Sequence, residues 1–386
     1  MIQWDDEEVF ASSDEFFAGL LAEIKQAKKS IDFEVYIFEL DRLGDRVLSA
    51  LKDAAARGVQ VRLMVDGVGS PDWNASLLKE LEQTKVNARI YRPYPWVKIG
   101  ARFYPRMLML HRLGTWFRRL NRRNHRKACV IDSKVAWVGS MNVDEKLMRS
   151  YVGHDAWRET GVRIQGAAIE VLSFAFERAW MMAWAGRPRS FHLRKSNVKS
   201  MSLFWKRNPL VRLNLSFYLR NLYYQDLLEH LHTAHHRIWI TSAYFIPSGP
   251  ILSALRIAAR TGVDVRILVS QKMDVKLVRW VTTMVLEGLL GAGVRVFEYE
   301  PRVLHAKSMI VDHWGMVGSS NFNHRSLIHD LEVDVVVQKV KTLTDLEKYF
   351  LRDLDNSREL RKHHWKKGRW FQRFFGKIFF YLRYWL

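Results

Sequence analysis

The sequence predicts two tandem α/β domains of one design, each with a mixed β-sheet flanked by helices. The string HRKACVIDSKVAWVGSMNV, which begins at His125, is matched by HAKSMIVDHWGMVGSSNFN at His305, with one residue fewer between the aspartate and the glycine. The segments ALKDAAARGVQVRLMVDG around Gly58 and ALRIAARTGVDVRILVSQ around Gly262 also match. Two long copies indicate a duplicated domain, because a solenoid needs several shorter repeats.

Each copy has the same predicted order of elements. An apolar strand, IDFEVYIF or IWITSAYFIP, leads into a helix rich in alanine and leucine. Gly58 or Gly262 then marks the turn after the helix, and alternating valine, arginine and leucine indicate the next strand. The histidine strand follows. We therefore expect an N-terminal domain over residues 1–185 and a C-terminal domain over residues 216–355.

Three further segments lie outside the repeat. Gly58 and His125 are 67 residues apart, but Gly262 and His305 are 43 apart, so the first copy carries an insert over about residues 94–122. A basic linker is expected over residues 186–215 and a basic, aromatic tail over residues 356–386.

Composition narrows the class of protein. The 386 residues are 48% hydrophobic and 26% charged, which is typical of a chain that folds around a core. The single cysteine cannot form an internal disulfide, and the acidic N-terminus does not resemble a secretory signal. No uncharged apolar run is long enough to suggest a membrane span. These features predict a protein in a reducing compartment.

The net charge of +21 is concentrated in three tracts without acidic residues, at 83–131, 178–225 and 361–386. Local charge of this kind attracts a polyanion, either nucleic acid or an anionic lipid surface.

The insert and the tail each place aromatic and aliphatic side chains on one helical face and cations on the other. A helix with this pattern suits the lipid interface, although a helix docked on the protein body has the same pattern. The candidate membrane-binding residues are Trp96, Trp116, Phe117, Trp370, Arg373, Phe374, Phe375 and Lys377.

The histidine strands carry the chemistry. Side chains two positions apart on a strand point the same way, so His125 lies beside Lys127, and His305 beside Lys307. A neutral imidazole can attack phosphorus, and a lysine can neutralise a phosphoryl oxygen without a metal or other cofactor. Two such copies meeting at the domain interface would form one active site, with one histidine as nucleophile and the other as general acid and base.

Other side chains complete the predicted site. The residues expected to bind phosphate are Ser140, Asn142, Ser319 and Asn321. A catalytic histidine also needs an acceptor for its second ring nitrogen. Glu332, 27 residues after His305, is the candidate in the second half, and Glu159 is its counterpart in the first, with Asp155 as an alternative.

The paired His-x-Lys-(x4)-Asp motifs with trailing Gly-Ser-x-Asn resemble the phospholipase D superfamily over residues 12–349. Segments such as LLGAGVRVFEYEPRVLHAKSMIVD are similar to its bacterial cardiolipin synthases. The resemblance implies two domains related by pseudo-two-fold symmetry, and transfer between two phospholipids, commonly two phosphatidylglycerols giving cardiolipin and glycerol. It also implies that His125 is the nucleophile and His305 the general acid and base.

The motif aspartates, Asp132 and Asp312, belong to the catalytic set by this resemblance. However, each aspartate lies seven residues after its histidine, so on a regular strand its side chain points to the opposite face, which favours a structural role. The chain lacks the N-terminal hydrophobic helices of the membrane-anchored members, so we expect peripheral attachment to the cytoplasmic face of the bacterial inner membrane. The alternatives are a phospholipase D-type hydrolase, a nuclease, or a binding protein without activity. Clustering of the aromatics on continuous faces favours lipid over nucleic acid.

Overall fold

The structure, a computed structural model, describes residues 3–93, 122–184, 210–272 and 276–361. All eight candidate membrane-binding residues of the insert and the tail lie outside these ranges. None of the described helices is both long enough and apolar enough to cross a bilayer.

The first half forms a seven-stranded sheet in the order β1-β7-β6-β5-β2-β3-β4. Its elements are β1 (Asp6–Phe10), α1 (Ser13–Gln26), β2 (Ser30–Val35), α2 (Arg42–Ala56), β3 (Gln60–Asp66), α3 (Ala75–Gln83), β4 (Val86–Tyr91), β5 (Ala128–Ile131), β6 (Val135–Gly139), β7 (Gly161–Gln165) and α4 (Ile169–Met182). Short helical turns occupy part of residues 145–155. Strands β2, β3 and β4 are parallel and the remaining pairs are antiparallel, so the sheet is mixed.

The second half forms an eight-stranded sheet in the order β17-β12-β11-β9-β13-β14-β16-β8. Its elements are β8 (Val211–Leu213), α5 (Phe217–His232), β9 (Arg237–Ser242), β10 (Phe245–Ile246), α6 (Gly249–Arg260), β11 (Asp264–Ser270), α7 (Lys276–Leu290), β12 (Arg295–Tyr299), β13 (Lys307–Val311), β14 (Trp314–Gly318), β15 (Phe322–Asn323), β16 (Val333–Val337), α8 (Val340–Asp355) and β17 (Ser357–Glu359). Strands β10 and β15 pair separately.

The two halves repeat one topology, as the sequence predicts. After a first strand at one sheet edge, each half has three parallel strands, and the histidine strand then returns antiparallel beside the first of these three. The turn after α2 and the turn after α6 use the same backbone conformation. Gly58 and Gly262 have φ angles of +93° and +96°, a left-handed region in which a side chain is strained. This shared turn explains why glycine occurs at both positions.

The sheets pack face to face through one apolar core. Val138 and Val162 of the first half share this core with Val317 and Val335 of the second. The N-terminus crosses the same interface, where the Trp4 indole Nε1 donates to the carbonyl of Val336 at 2.8 Å. An interface of this apolar character holds the halves in a fixed relation, which is required for a site built from both.

Two short strands of the second sheet lie outside the predicted domain ranges. Strand β8 lies within the predicted linker, and β17 lies within the predicted tail, yet both belong to the second sheet. Each strand has only three residues, so no alternation of polar and apolar residues was long enough to reveal it.

Candidate active site

Each histidine and its lysine lie where the histidine strand begins. Lys127 comes directly before β5, and its Nζ donates to the carbonyl of His125 at 2.7 Å. Lys307 begins β13 and its Nζ donates to the carbonyl of His305 in the same way. Both lysines are buried, at 3% and 2% exposure, so each cation is fixed in position before any substrate arrives.

The backbone at each histidine pairs with the other half of the chain. His125 N donates to the carbonyl of Leu331 at 2.9 Å, and Leu331 N donates to the carbonyl of Arg123 at 2.8 Å. The same pattern joins His305 to Arg158 at 2.8 Å. These two parallel bridges are related by the pseudo-two-fold repeat, and they bring each histidine beside the segment that carries the other half's glutamate.

The histidine-glutamate pairs are therefore crossed between the halves. The His125 Nδ1 lies 3.0 Å from a carboxylate oxygen of Glu332, and the His305 Nδ1 lies 2.6 Å from one of Glu159. A carboxylate at Nδ1 accepts its proton and leaves Nε2 for a substrate. Asp155, the alternative to Glu159, lies exposed in the turn Gly153–Asp155.

Burial and charge determine the protonation of the site. Burial, and then the charges of Lys127 and Lys307, lower the pKa of His125 well below 6.5, so its imidazole is neutral near pH 7. Burial also raises the pKa of Glu332 to about 7, although Lys127 opposes this shift. The charge of His305 also contributes to the low pKa of His125, which places the two histidines within electrostatic range of each other.

Glu159 is in a different electrostatic state from Glu332. Burial raises the pKa of Glu159, but the charge and hydrogen bond of His305, followed by the charge of Lys307, outweigh burial and lower it below 4.5. The pKa of His305 is lowered by burial, with Glu159 opposing the shift. The two crossed pairs thus have the same geometry but differ in how firmly their carboxylates are ionised.

The serines of the Gly-Ser turns do not lie free for a phosphate. The Ser140 hydroxyl donates to the carbonyl of Thr160 at 3.0 Å and accepts from its N–H at 2.9 Å. The Ser319 hydroxyl donates to Glu332 and accepts from Val333 N at 3.0 Å. These contacts indicate that both serines fix the glutamate segments, and phosphate binding by the two hydroxyls stays a prediction.

The asparagines keep amide groups for a substrate. The Asn142 Oδ1 accepts from Ile37 N at 3.2 Å, an arrangement that leaves its Nδ2 as the available donor. The Asn321 Oδ1 is buried with no hydrogen-bond partner among the described residues. A buried acceptor without a partner costs free energy. Such atoms are common at sites where a donor group of a ligand completes the hydrogen bonding.

The motif aspartates act on the backbone. Asp132 has a φ angle of +53° and accepts from the N–H groups of Lys28, Lys29 and Ser30, before and at the start of β2. Asp312 accepts in the same way from the three residues before and at the start of β9, His235, His236 and Arg237. These contacts fit the structural role that strand parity favoured, and the catalytic assignment of the two aspartates stays a prediction.

Replacing Asp132 with alanine is expected to lower the free energy of unfolding by about 1–3 kcal/mol, because three backbone donors lose a charged acceptor. Asp132→Asn keeps one acceptor oxygen and a residue that tolerates positive φ, so its loss should be smaller. Urea unfolding followed by circular dichroism measures both. Equal stability of the alanine variant and the parent would contradict the structural role.

Aromatic rings that the sequence did not single out stand beside the histidines. The Tyr36 ring centroid lies 4.9 Å from that of His125, and the Trp157 centroid lies 5.6 Å from that of His305. Both rings come from the first half. Within the described residues, no group of three or more histidine, cysteine, aspartate or glutamate side chains is arranged to hold a metal ion.

Anion binding at this site should depend on the protonation of Lys127. Burial lowers its pKa from 10.5 to about 7, with Glu332 opposing the shift. The ammonium is present below that pH and is lost above it, so inhibition by sulfate should weaken by up to tenfold per pH unit above about 7. Sulfate keeps its double charge throughout, so its inhibition constant between pH 6 and 9 reports on the protein. In Lys127→Met the constant should be high and less dependent on pH; an unchanged profile would exclude Lys127.

Paired histidines, each held by a glutamate and accompanied by a buried lysine, are the arrangement that group transfer at phosphorus through imidazoles requires. A family model described as cardiolipin synthase, PLD-like domain, matches residues 20–180 and 227–354. The cardiolipin synthase of Halalkalibacterium halodurans is 31% identical over 375 residues, which cover 95% of this chain and 69% of that protein. That of Clostridium perfringens is 30% identical over 364 residues, covering 91% and 71%. The chain therefore belongs to the cardiolipin synthase family of the phospholipase D superfamily.

Solved structures agree on the fold. The phosphatidylserine synthase of Haemophilus influenzae superposes with a TM-score of 0.71 at 15% identity, covering 99% of this chain and 94% of that one. A polyphosphate kinase from Porphyromonas gingivalis gives a TM-score of 0.60 at 12% identity, covering 93% and 49%. At such identities the likeness extends to the fold alone.

Proposed function

We propose that this protein is a phosphatidyltransferase that joins two phosphatidylglycerol molecules into cardiolipin and releases glycerol. The observation that carries the proposal is the crossed pair of His125 with Glu332 and His305 with Glu159. It gives two oriented imidazoles, and family membership supplies the substrate class.

In the first step the neutral His125 Nε2 attacks the donor phosphorus. A P–N bond forms, the P–O bond to the glycerol headgroup breaks, and His305 gives a proton to the departing oxygen. Glu159 supports this role because its ionised carboxylate stabilises a protonated His305. Lys127, Lys307 and the amides of Asn142 and Asn321 would hold the oxygens of the phosphoryl group.

In the second step the acceptor replaces the glycerol. His305 takes the proton from a headgroup hydroxyl of the second phosphatidylglycerol, and its oxygen attacks phosphorus. The P–O bond forms as the P–N bond to His125 breaks, which regenerates the starting imidazoles. Water in place of the lipid alcohol would give phosphatidic acid. A site that excludes water, such as one whose lysines are 3% and 2% exposed, favours transfer over hydrolysis.

We further propose that the enzyme works as a peripheral protein on the cytoplasmic face of the bacterial membrane. The net charge of +21 attracts anionic lipid, and the basic tracts around the insert, linker and tail provide the local attraction. Nucleic acid is not an expected partner, since the family membership indicates lipid substrates.

The test is product analysis by mass spectrometry after incubation with vesicles of phosphatidylglycerol. We expect cardiolipin as the main product, less phosphatidic acid than cardiolipin, and free glycerol equal to the sum of the two, because transfer and hydrolysis each release one glycerol. Phosphatidic acid as the main product would assign the protein as a phospholipase D-type hydrolase. Cleavage of plasmid DNA with no lipid turnover would assign it as a nuclease.

A further inference from the structure

An exposed aromatic pair lies close to the histidine site. Phe217 and Tyr218 form the first turn of α5 and are 81% and 43% exposed. A phenylalanine with this exposure is unfavourable in water unless a partner covers it. Ser216 caps the helix and accepts from Leu219 N at 3.2 Å, so the aromatics are held on a regular helical turn.

Two arginines flank this turn. The Arg122 guanidinium donates to the carbonyl of Leu215 at 2.8 Å, and the Arg220 Nε donates to the carbonyl of Asn214 at 3.0 Å. Burial, and then the nearby charge of Arg122, lower the pKa of Arg220 to about 10. The Arg122 Nε is buried with no hydrogen-bond partner among the described residues. The charge of Asp330 opposes the lowering of the Arg220 pKa, and the two guanidinium groups give the turn a local positive charge.

The same segment supports the catalytic glutamate. The Asn214 Oδ1 accepts from the backbone N–H of Glu332 at 2.8 Å, and its Nδ2 donates to the carbonyl of Asp330 at 2.6 Å. Glu332 in turn holds His125. The flanking arginines and aromatics are thus anchored to the residue that places the His125 side of the site.

The sequence that contains this turn is basic. Arg122 belongs to the tract at 83–131, and Phe217, Tyr218 and Arg220 belong to the tract at 178–225, and neither tract contains an acidic residue. Aromatic rings beside arginines match the chemistry of a phospholipid headgroup layer, where rings lie among glycerol backbones and guanidinium groups bind phosphates.

We propose that Arg122, Phe217, Tyr218 and Arg220, which we call the α5 rim, dock on the surface of an anionic phospholipid bilayer. The rim orients the enzyme so that the His125 side of the site faces the lipid. This proposal rests on the proposed function in one respect, that the substrate is a lipid. Binding to a bilayer can be measured without turnover, so the two proposals can be tested separately.

The test compares Phe217→Ser/Tyr218→Ser and Arg122→Gln with the parent chain in two assays. One measures co-sedimentation with vesicles of phosphatidylglycerol or of phosphatidylcholine. The other measures turnover of long-chain phosphatidylglycerol in vesicles and of dihexanoyl phosphatidylglycerol dissolved as monomers. We expect binding to anionic vesicles and vesicle turnover to fall roughly tenfold or more, with monomer turnover within about twofold of the parent.

Val340→Ser is the matched control, because Val340 is also 81% exposed at the first turn of a helix but lies on α8. It should bind and turn over vesicles like the parent. Vesicle binding of the rim variants equal to that of Val340→Ser would overturn the proposal, and so would an equal loss on vesicles and monomers. If the parent binds vesicles but turns over neither substrate, the proposed function fails while the binding comparison still decides on the rim.

Discussion

Replacing His125 with alanine is expected to lower phospholipid turnover by at least ~10⁴-fold, for transfer and hydrolysis alike, because the P–N bond that starts both reactions cannot form. The effect should lie in the rate of turnover. Vesicle binding should stay at the parent's level, because His125 is only 15% exposed and lies inside the site. Turnover is measured as cardiolipin and phosphatidic acid formed from phosphatidylglycerol vesicles.

His154→Ala is the matched control for this change, since His154 is an exposed histidine of the same half. It should keep the parent's turnover. A His125→Ala protein that is folded by circular dichroism and retains more than about a tenth of the parent's activity would exclude His125 as the nucleophile.

Glu159→Gln and Glu332→Gln are expected to interrupt different steps, because each glutamate serves the histidine of the other half. With a phosphatidyl ester of p-nitrophenol, the leaving group departs without a proton. Glu159→Gln should then release a burst of nitrophenol and accumulate a phosphohistidine at His125, since the second step needs His305 as base. Its steady-state turnover should fall by about 10³-fold or more.

Glu332→Gln should show no burst and no adduct, because the attacking imidazole loses the acceptor at Nδ1 that orients it. Intact-protein mass spectrometry measures the adduct in both variants. Glu170→Gln, which changes an exposed glutamate of α4, should behave as the parent. The opposite assignment, with the adduct in Glu332→Gln alone, would mean that the roles of the two histidines are exchanged.

The repeat made the fold and the central site predictable. Its copies match at histidine, lysine, aspartate, glycine, serine and asparagine, and alternating apolar residues mark the strands that carry them. Parity along the strand also separated Asp132 and Asp312 from the histidines, and their backbone contacts agree with that separation.

The sequence did not predict which glutamate pairs with which histidine. His125 and Glu332 are 207 residues apart, and His305 and Glu159 are 146 apart, so no local period connects them. A repeat specifies which residue types meet but leaves open whether they meet within one copy or between two. The bridges at Leu331 and Arg158, which decide the question, depend on how the two sheets dock.

The aromatic rings beside the two histidines were not predicted, for a different reason. Tyr36 and Trp157 each occur in one copy only. In the other copy Ala243 follows β9 where Tyr36 follows β2, and Asp330 precedes Glu332 as Trp157 precedes Glu159. A comparison of the two copies finds only the residues that they share, so it does not find an aromatic residue that one copy has and the other lacks. The hydrogen bonds of Ser140 and Ser319 to the neighbouring chain segment were also not predictable, because a motif does not reveal them.

The backbone bridges at Leu331 and Arg158 also limit how such an enzyme can be divided. A polypeptide with a single copy would contain an imidazole and a carboxylate that cannot reach each other. It could complete the centre only by associating with a second copy around a two-fold axis, which would yield two equivalent dyads. Joining both copies in one chain removes that dependence on concentration and allows the two sides to diverge, so that one can specialise in attack and the other in proton transfer.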